Sequence, residues 1–191
     1  MGAAPLDFLA IPGSLRSGSL NRQLAFTLSE LVPEDVRVDV FELHDIPLYD
    51  TDIDNDDDRP AAVGALKERV TAADAVILLC PEYNYGPSGV LKNAIDWASR
   101  PGFNAPMTRK PTGIMGVARG LSGTMRAQEQ LKLNLLGMLA QLFPHRGVAV
   151  SQGGGKFEDG RLVDEETRDF VATYLDDFAG WVRVVRQWTG P

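Results

Sequence analysis

The chain has 191 residues, 44% of them apolar, which suits a single domain over 1–191 with a sizeable core. A formal charge of −7 argues against nucleic acid and anionic membranes as partners. One cysteine, Cys80, allows no internal disulfide, no apolar run reaches the length of a membrane span, and the start lacks a signal-peptide layout, so a reducing cytoplasm is expected.

Residues 6–11 read as a first strand, followed by the loop PGSLRSGSLN and a helix. Leu20, Leu24, Ala25, Leu28 and Leu31 mark the buried side of that helix. The loop carries Ser14, Ser17, Ser19, Asn21 and Arg16, with glycines at 13 and 18. Hydroxyls, backbone N–H groups at a helix start and one guanidinium suit a phosphate. The plainer reading is an ordinary capped helix start, and the loop is neither a P-loop nor GxGxxG.

Residues 36–43 alternate valines with Arg37, Asp39 and Phe41, the pattern of a half-exposed edge strand. The segment HDIPLYDTDIDNDDDRP follows. Its aspartates lack the turn glycine and closing glutamate of a calcium loop, so it reads as a solvated acidic loop. Residues 61–73 form a helix with Val63, Leu66 and Val70 inward.

The run AVILLC over 75–80 is unbroken and apolar, as in a strand buried on both faces of a parallel sheet. PEYNYGPSG separates it from a helix marked by Val90, Leu91, Ala94, Ile95 and Ala98, with Ser88 placed to cap it. Tyr83 and Tyr85 are more than a turn requires. They form a platform for a flat ligand, or they pack over the core.

Residues 112–118 read as another buried strand, and a helix is expected over 124–143. Its second half holds Leu131, Leu133, Leu135, Leu136, Met138, Leu139, Leu142 and Phe143, more than one apolar stripe. A second buried face is therefore expected, as in a homodimer or homotetramer. A last strand over 145–151 precedes a helix that starts among Asp164, Glu165 and Glu166. Phe170, Val171, Tyr174, Leu175, Phe178, Trp181, Val182 and Val185 give that helix one apolar face.

Strands and helices alternate, which predicts a doubly wound five-stranded parallel sheet in three αβα layers. An edge position for the second strand favours the order 2-1-3-4-5, in which the loops after strands one and three share the switch-point crevice. The two histidines, His44 and His145, stand in unrelated segments, and no nucleophile elbow or metal motif is present. A phosphate grip beside a flat platform suggests a bound cofactor of the shape of flavin mononucleotide.

Gly13-Ser14-Leu15-Arg16 with Ser19 and Asn21, then Pro81-Glu82-Tyr83-Asn84-Tyr85, then Leu91-Lys92-Asn93-Ala94-Ile95-Asp96-Trp97 resemble the NADPH-dependent FMN reductase family. The resemblance extends over nearly the whole chain, including IPLYD at 46–50. It implies a flavodoxin-like fold and an FMN-dependent NAD(P)H oxidoreductase. The acceptors it implies are small molecules: quinones, chromate, azo compounds or free flavin. It further implies that Ser14, Arg16, Ser19 and Asn21 hold the FMN phosphate, with Leu20 beside them. Pro81, Glu82, Tyr83, Asn84 and Tyr85 would border the ribityl chain and the ring. Ala118, Arg119 and Gly120 would lie near the ring where family members often carry a serine. No acid–base residue is expected. Two rival readings are a flavodoxin-like electron carrier and an NAD(P)H-binding regulatory protein without turnover.

Overall fold

A computed structural model describes residues 4–188. Strand β1 (Leu6–Pro12) lies between β2 (Val36–Val40) and β3 (Ala75–Leu79), and β3 pairs onward with β4 (Pro111–Val117), always in parallel. The register sets Phe8 opposite Val38 on one side and Ala75 on the other. This is the expected order, with one amendment at the far edge. Two short strands share the fifth position: β5 (Gln141–Leu142) pairs with the start of β4, and β6 (Val148–Val150) with its end. The strand expected over 145–151 thus shrinks to three residues. Residues 144–147 leave the sheet, which would strand the N–H of Ile114. The buried hydroxyl of Tyr174 accepts that N–H at 3.1 Å. Gly113 leaves it room, since a Cβ there would stand 2.8 Å from the hydroxyl.

Alternation along the strands feeds two cores. On one face Leu6, Phe8, Ala10, Ile77 and Leu79 pack under α1 (Leu20–Thr27) and α5 (Glu165–Trp188). On the other, Leu9, Ile11, Val76 and Leu78 meet α2 (Ala61–Ala72), α3 (Gly89–Ala98) and α4 (Met125–Gly137). Every residue of β3 is buried because both its faces are covered, whereas β2 has one neighbour and alternates.

Three expectations need correction. The helix expected over 124–143 ends at Gly137. The Leu139 N–H returns to the Leu136 carbonyl and the Ala140 N–H to that of Leu135, with Leu139 at φ 61. That is a Schellman closure built on leucine, where sequence reading expects glycine. The acidic loop is only partly solvated, because Asp54, its side chain 6% exposed, lies 2.7 Å from Lys67 and 3.1 Å from Arg59. On α5, Val171, Tyr174, Leu175, Phe178 and Val182 are buried, but Phe170 falls on the rim, 43% exposed.

Candidate functional site

Three loops leave the carboxyl ends of β1, β3 and β4, which are neighbours in the sheet. The direction of winding reverses between β1 and β3, where open sheets hold ligands.

The first loop presents a row of donors without protein acceptors. Among the described residues the N–H groups of Ser14 through Gly18 donate to no protein acceptor, and Arg16 has no acidic partner. The Ser14 hydroxyl, on a residue only 7% exposed, is also unpaired. Arg16 arches back over the loop, its Nη1 3.5 Å from the place of a Cβ on Gly18. Ser19 caps α1 by accepting the Arg22 N–H at 3.3 Å, so the positive end of the helix opens on the loop. Leu20 is buried, leaving only its backbone to serve a ligand. The Asn21 carboxamide is engaged within the protein. Both polar ends of its side chain are engaged by the Val117 backbone, each at 3.0 Å. His44, to which the sequence assigned nothing, donates from Nε2 to the Leu15 carbonyl at 2.9 Å and tethers the loop.

The second loop is a hairpin. Glu82 pairs with Pro87 and Tyr83 with Gly86, around Asn84 at φ 49 and Tyr85 at φ 69. Two left-handed residues make a type I′ turn, disguised here because tyrosine occupies the usual glycine place. Both tyrosines are more than half exposed, so they do not pack over the core. The Glu82 carboxylate is engaged by the start of α4. It accepts N–H groups of Arg126 and Ala127 at 3.2 and 3.3 Å and the Arg126 Nε at 2.7 Å. Burial opposes its ionisation, but these bonds outweigh burial and hold the carboxyl below its usual range. Ser88 accepts the Leu91 N–H and donates to the Gly13 carbonyl at 2.6 Å, stitching the first loop to the second. A side chain on Gly13 would strike Pro81 and Leu91 at 2.9 Å.

In the third loop, Ala118 donates to the Val150 carbonyl and accepts from Gly153, while Gly120 accepts from Gln152. Arg119 lies exposed over the turn at Gly153–Gly155, its Nη1 3.2 Å from the place of a Cβ on Gly154. A Cβ on Gly153 would stand 2.5 Å from Val117 and 3.3 Å from Leu20, so the turn packs close against the start of α1. Its run of three glycines was the available signal.

Between the first two loops lies a cavity of about 550 Å3, bordered by Ser14, Leu15, Arg16, Tyr83 and Val90. Ile46 and Leu48 close its far side. Both stand in IPLYD, which carried the resemblance but was given no part in the site; their signal is an apolar pair within an acidic stretch. They are held from α3: Asn93 and Trp97 donate to the Pro47 carbonyl at 2.7 and 2.9 Å, and Asn93 accepts the Tyr49 N–H. An anion grip of free amides and a guanidinium, next to a flat aromatic platform, fits the phosphate and ring of FMN.

The profile of the NADPH-dependent FMN reductases matches residues 6–155. The chain belongs to the NADPH-dependent FMN reductase family. It is an enzyme with FMN as cofactor and NAD(P)H as electron donor. This FMN reductase is 39% identical over 182 residues to an NAD(P)H-dependent FMN reductase of Pseudomonas aeruginosa, covering 95% of this chain and 97% of that protein. It is 36% identical over 179 residues to the 2-hydroxy-1,4-benzoquinone reductase of a Burkholderia species, covering 93% and 97%. Among solved structures it resembles FerB, a flavoenzyme NAD(P)H:(acceptor) oxidoreductase of Paracoccus denitrificans. The TM-score is 0.82 and the identity 32%, over 93% of this chain and 97% of that one.

Proposed function

We propose that this FMN reductase passes electrons from NAD(P)H to quinones and similar small acceptors, the two substrates taking turns on one surface. The carrying observation is one crevice holding both the unsatisfied amides of residues 14–18 and the exposed tyrosine hairpin. Ser14, Arg16 and Ser19 hold the phosphate at the start of α1, and the backbones of 81–85 and 118–120 border the ring. Bound there, FMN supplies acceptance of hydride from the nicotinamide and delivery of electrons to the acceptor. The chain's own contribution is orientation and exclusion of water, with no general acid or base assigned. Leu15, Ile46, Leu48 and Val90 give the cavity apolar walls suited to a quinone ring. No second nucleotide loop of the GxGxxG kind is present in the sequence, which supports a shared surface.

The reading extends to a cytoplasmic homodimer or homotetramer. Among the described residues no helix is long and apolar enough to cross a membrane. Met125, Leu133 and Leu136 share the outer face of α4 and are each more than half exposed. The deciding experiment is steady-state kinetics with NADPH and a benzoquinone. Parallel double-reciprocal lines are expected, with the quinone competing against NADPH. Intersecting lines would reject the shared surface. A flavin that NAD(P)H does not bleach, but a partner reductase does, would favour an electron carrier.

A further inference from the structure

We propose that Arg126 is a positioning residue for the crevice, holding the Asn84–Tyr85 tip of the hairpin in its left-handed pose from its own place on α4. The inference rests on the functional reading above. Helix α4 begins without a cap of its own, since Thr124 stands at φ 69 and its hydroxyl accepts from Gln128 at 3.0 Å. The Glu82 carboxylate fills that place from the neighbouring loop, accepting the N–H groups of Arg126 and Ala127. It also pairs with the Arg126 guanidinium. The Cζ of that guanidinium lies over the Tyr85 ring, 4.0 Å from its centroid. Gln130, one turn along, donates to the Tyr85 carbonyl at 3.0 Å.

Hairpin and helix therefore close a circuit from Glu82 through Arg126 to Tyr85. A bulky residue at φ 69 is a conformation that nothing in tyrosine favours, so the restraint comes from outside the turn. Between the two anchored residues stand Tyr83, which borders the cavity, and Asn84. A hairpin that wanders spends less time in the pose that accepts substrate, and apparent affinity falls by that fraction.

The bonds that cap α4 come from main-chain N–H groups, so they survive loss of the Arg126 side chain. Arg126→Ala removes only the ion pair and the stack. In the holoenzyme it should raise the KM for benzoquinone about tenfold and leave kcat within about twofold. Arg126→Lys keeps the charge without the flat stack and should recover part of the loss. Tyr85→Ala should give a similar rise, and the double variant no further one, because both substitutions break the same link. Hydrogen exchange of the FMN-free protein should quicken over 82–88 and not over 125–137. Additive losses, an unaltered KM, or faster exchange along α4 would each overturn the proposal. A wild-type protein that turns over no quinone would count against the functional reading alone, and the exchange measurement would still decide the role of Arg126.

Discussion

The carboxamide of Asn21 completes the sheet at Val117, donating to its carbonyl and accepting its N–H, each at 3.0 Å. Strand β3 ends at Leu79, so the last residue of β4 has no strand beside it on that side. Asn21, near the start of α1, supplies the missing backbone and fixes the anion loop to the sheet. Asn21→Ala would leave a donor and an acceptor unpaired in a buried place, each costing about 1–3 kcal/mol. For a chain of this size the melting temperature should fall by roughly 5–15 °C. Asn21→Asp should do no better, because a carboxylate cannot donate to the Val117 carbonyl. Thermal denaturation of FMN-free protein keeps the cofactor out of the comparison, and an unaltered melt would show that water replaces the amide.

Arg16 is expected to recognise the phosphate and nothing else of the cofactor. A charge-assisted contact contributes roughly 1.5–3 kcal/mol. Arg16→Ala should therefore weaken FMN binding by about one to two orders of magnitude and barely alter riboflavin binding. Titration of FMN-free protein with both flavins checks this. Equal loss for the two would remove the phosphate role.

What the sequence disclosed, and what it hid, follows from the range of each interaction. The central strand was legible because an unbroken apolar run has one meaning when both faces are covered, and β2 because its valines alternate at an edge. The loop after β1 was legible as a loop and helix start because its hydroxyls, glycines and the Ser19 cap are local to that start. The bonds of the Asn21 carboxamide were hidden, because their partner Val117 lies 96 residues away. The role of the Glu82 carboxylate on α4 was hidden, because the N–H groups it accepts lie 44 and 45 residues away. No local pattern reports such pairs. The hairpin and the end of α4 were hidden because Tyr85 and Leu139 occupy left-handed positions that sequence reading assigns to glycine.

Cys80 should be chemically silent in the native state. It is fully buried, and burial first, then the charge of Glu82, push its thiol up to about 12. At pH 8 the thiolate fraction is on the order of one in ten thousand. Iodoacetamide should leave the folded protein unmodified and add one equivalent in denaturant, read by intact mass. Rapid labelling of the native protein would mean that the end of β3 opens readily.

Acid should weaken the start of α5. Lys156 and Thr167 hydrogen-bond to Asp164 and hold its carboxyl at about 2. The folded value lies below the unfolded one of about 3.9, so the contribution is full above that value and lost as pH falls toward about 2. Asp164→Asn should lower the urea midpoint at pH 7, and the difference from wild type should shrink between about pH 4 and pH 2. A constant difference across that window would mean that the group acts through shape and not charge.

The outer face of α4 decides whether the protein works alone. Met125, Leu133 and Leu136 are 60%, 71% and 55% exposed, and Leu139 just beyond the helix is 51% exposed. Scattered exposed leucines are ordinary, but several on one helix face mark an interface. Covering such side chains stabilises an assembly by about 1.5–3 kcal/mol for each one fully buried. Leu136→Glu would place a charge in that interface without disturbing either core, because the side chain contributes to neither. Sedimentation at micromolar concentration should show a dimer or larger assembly for the wild type and a monomer for the variant. The FMN-free variant should keep a cooperative melt, which separates dissociation from unfolding. A wild-type monomer under those conditions would leave the face of α4 bare and reject the assembly.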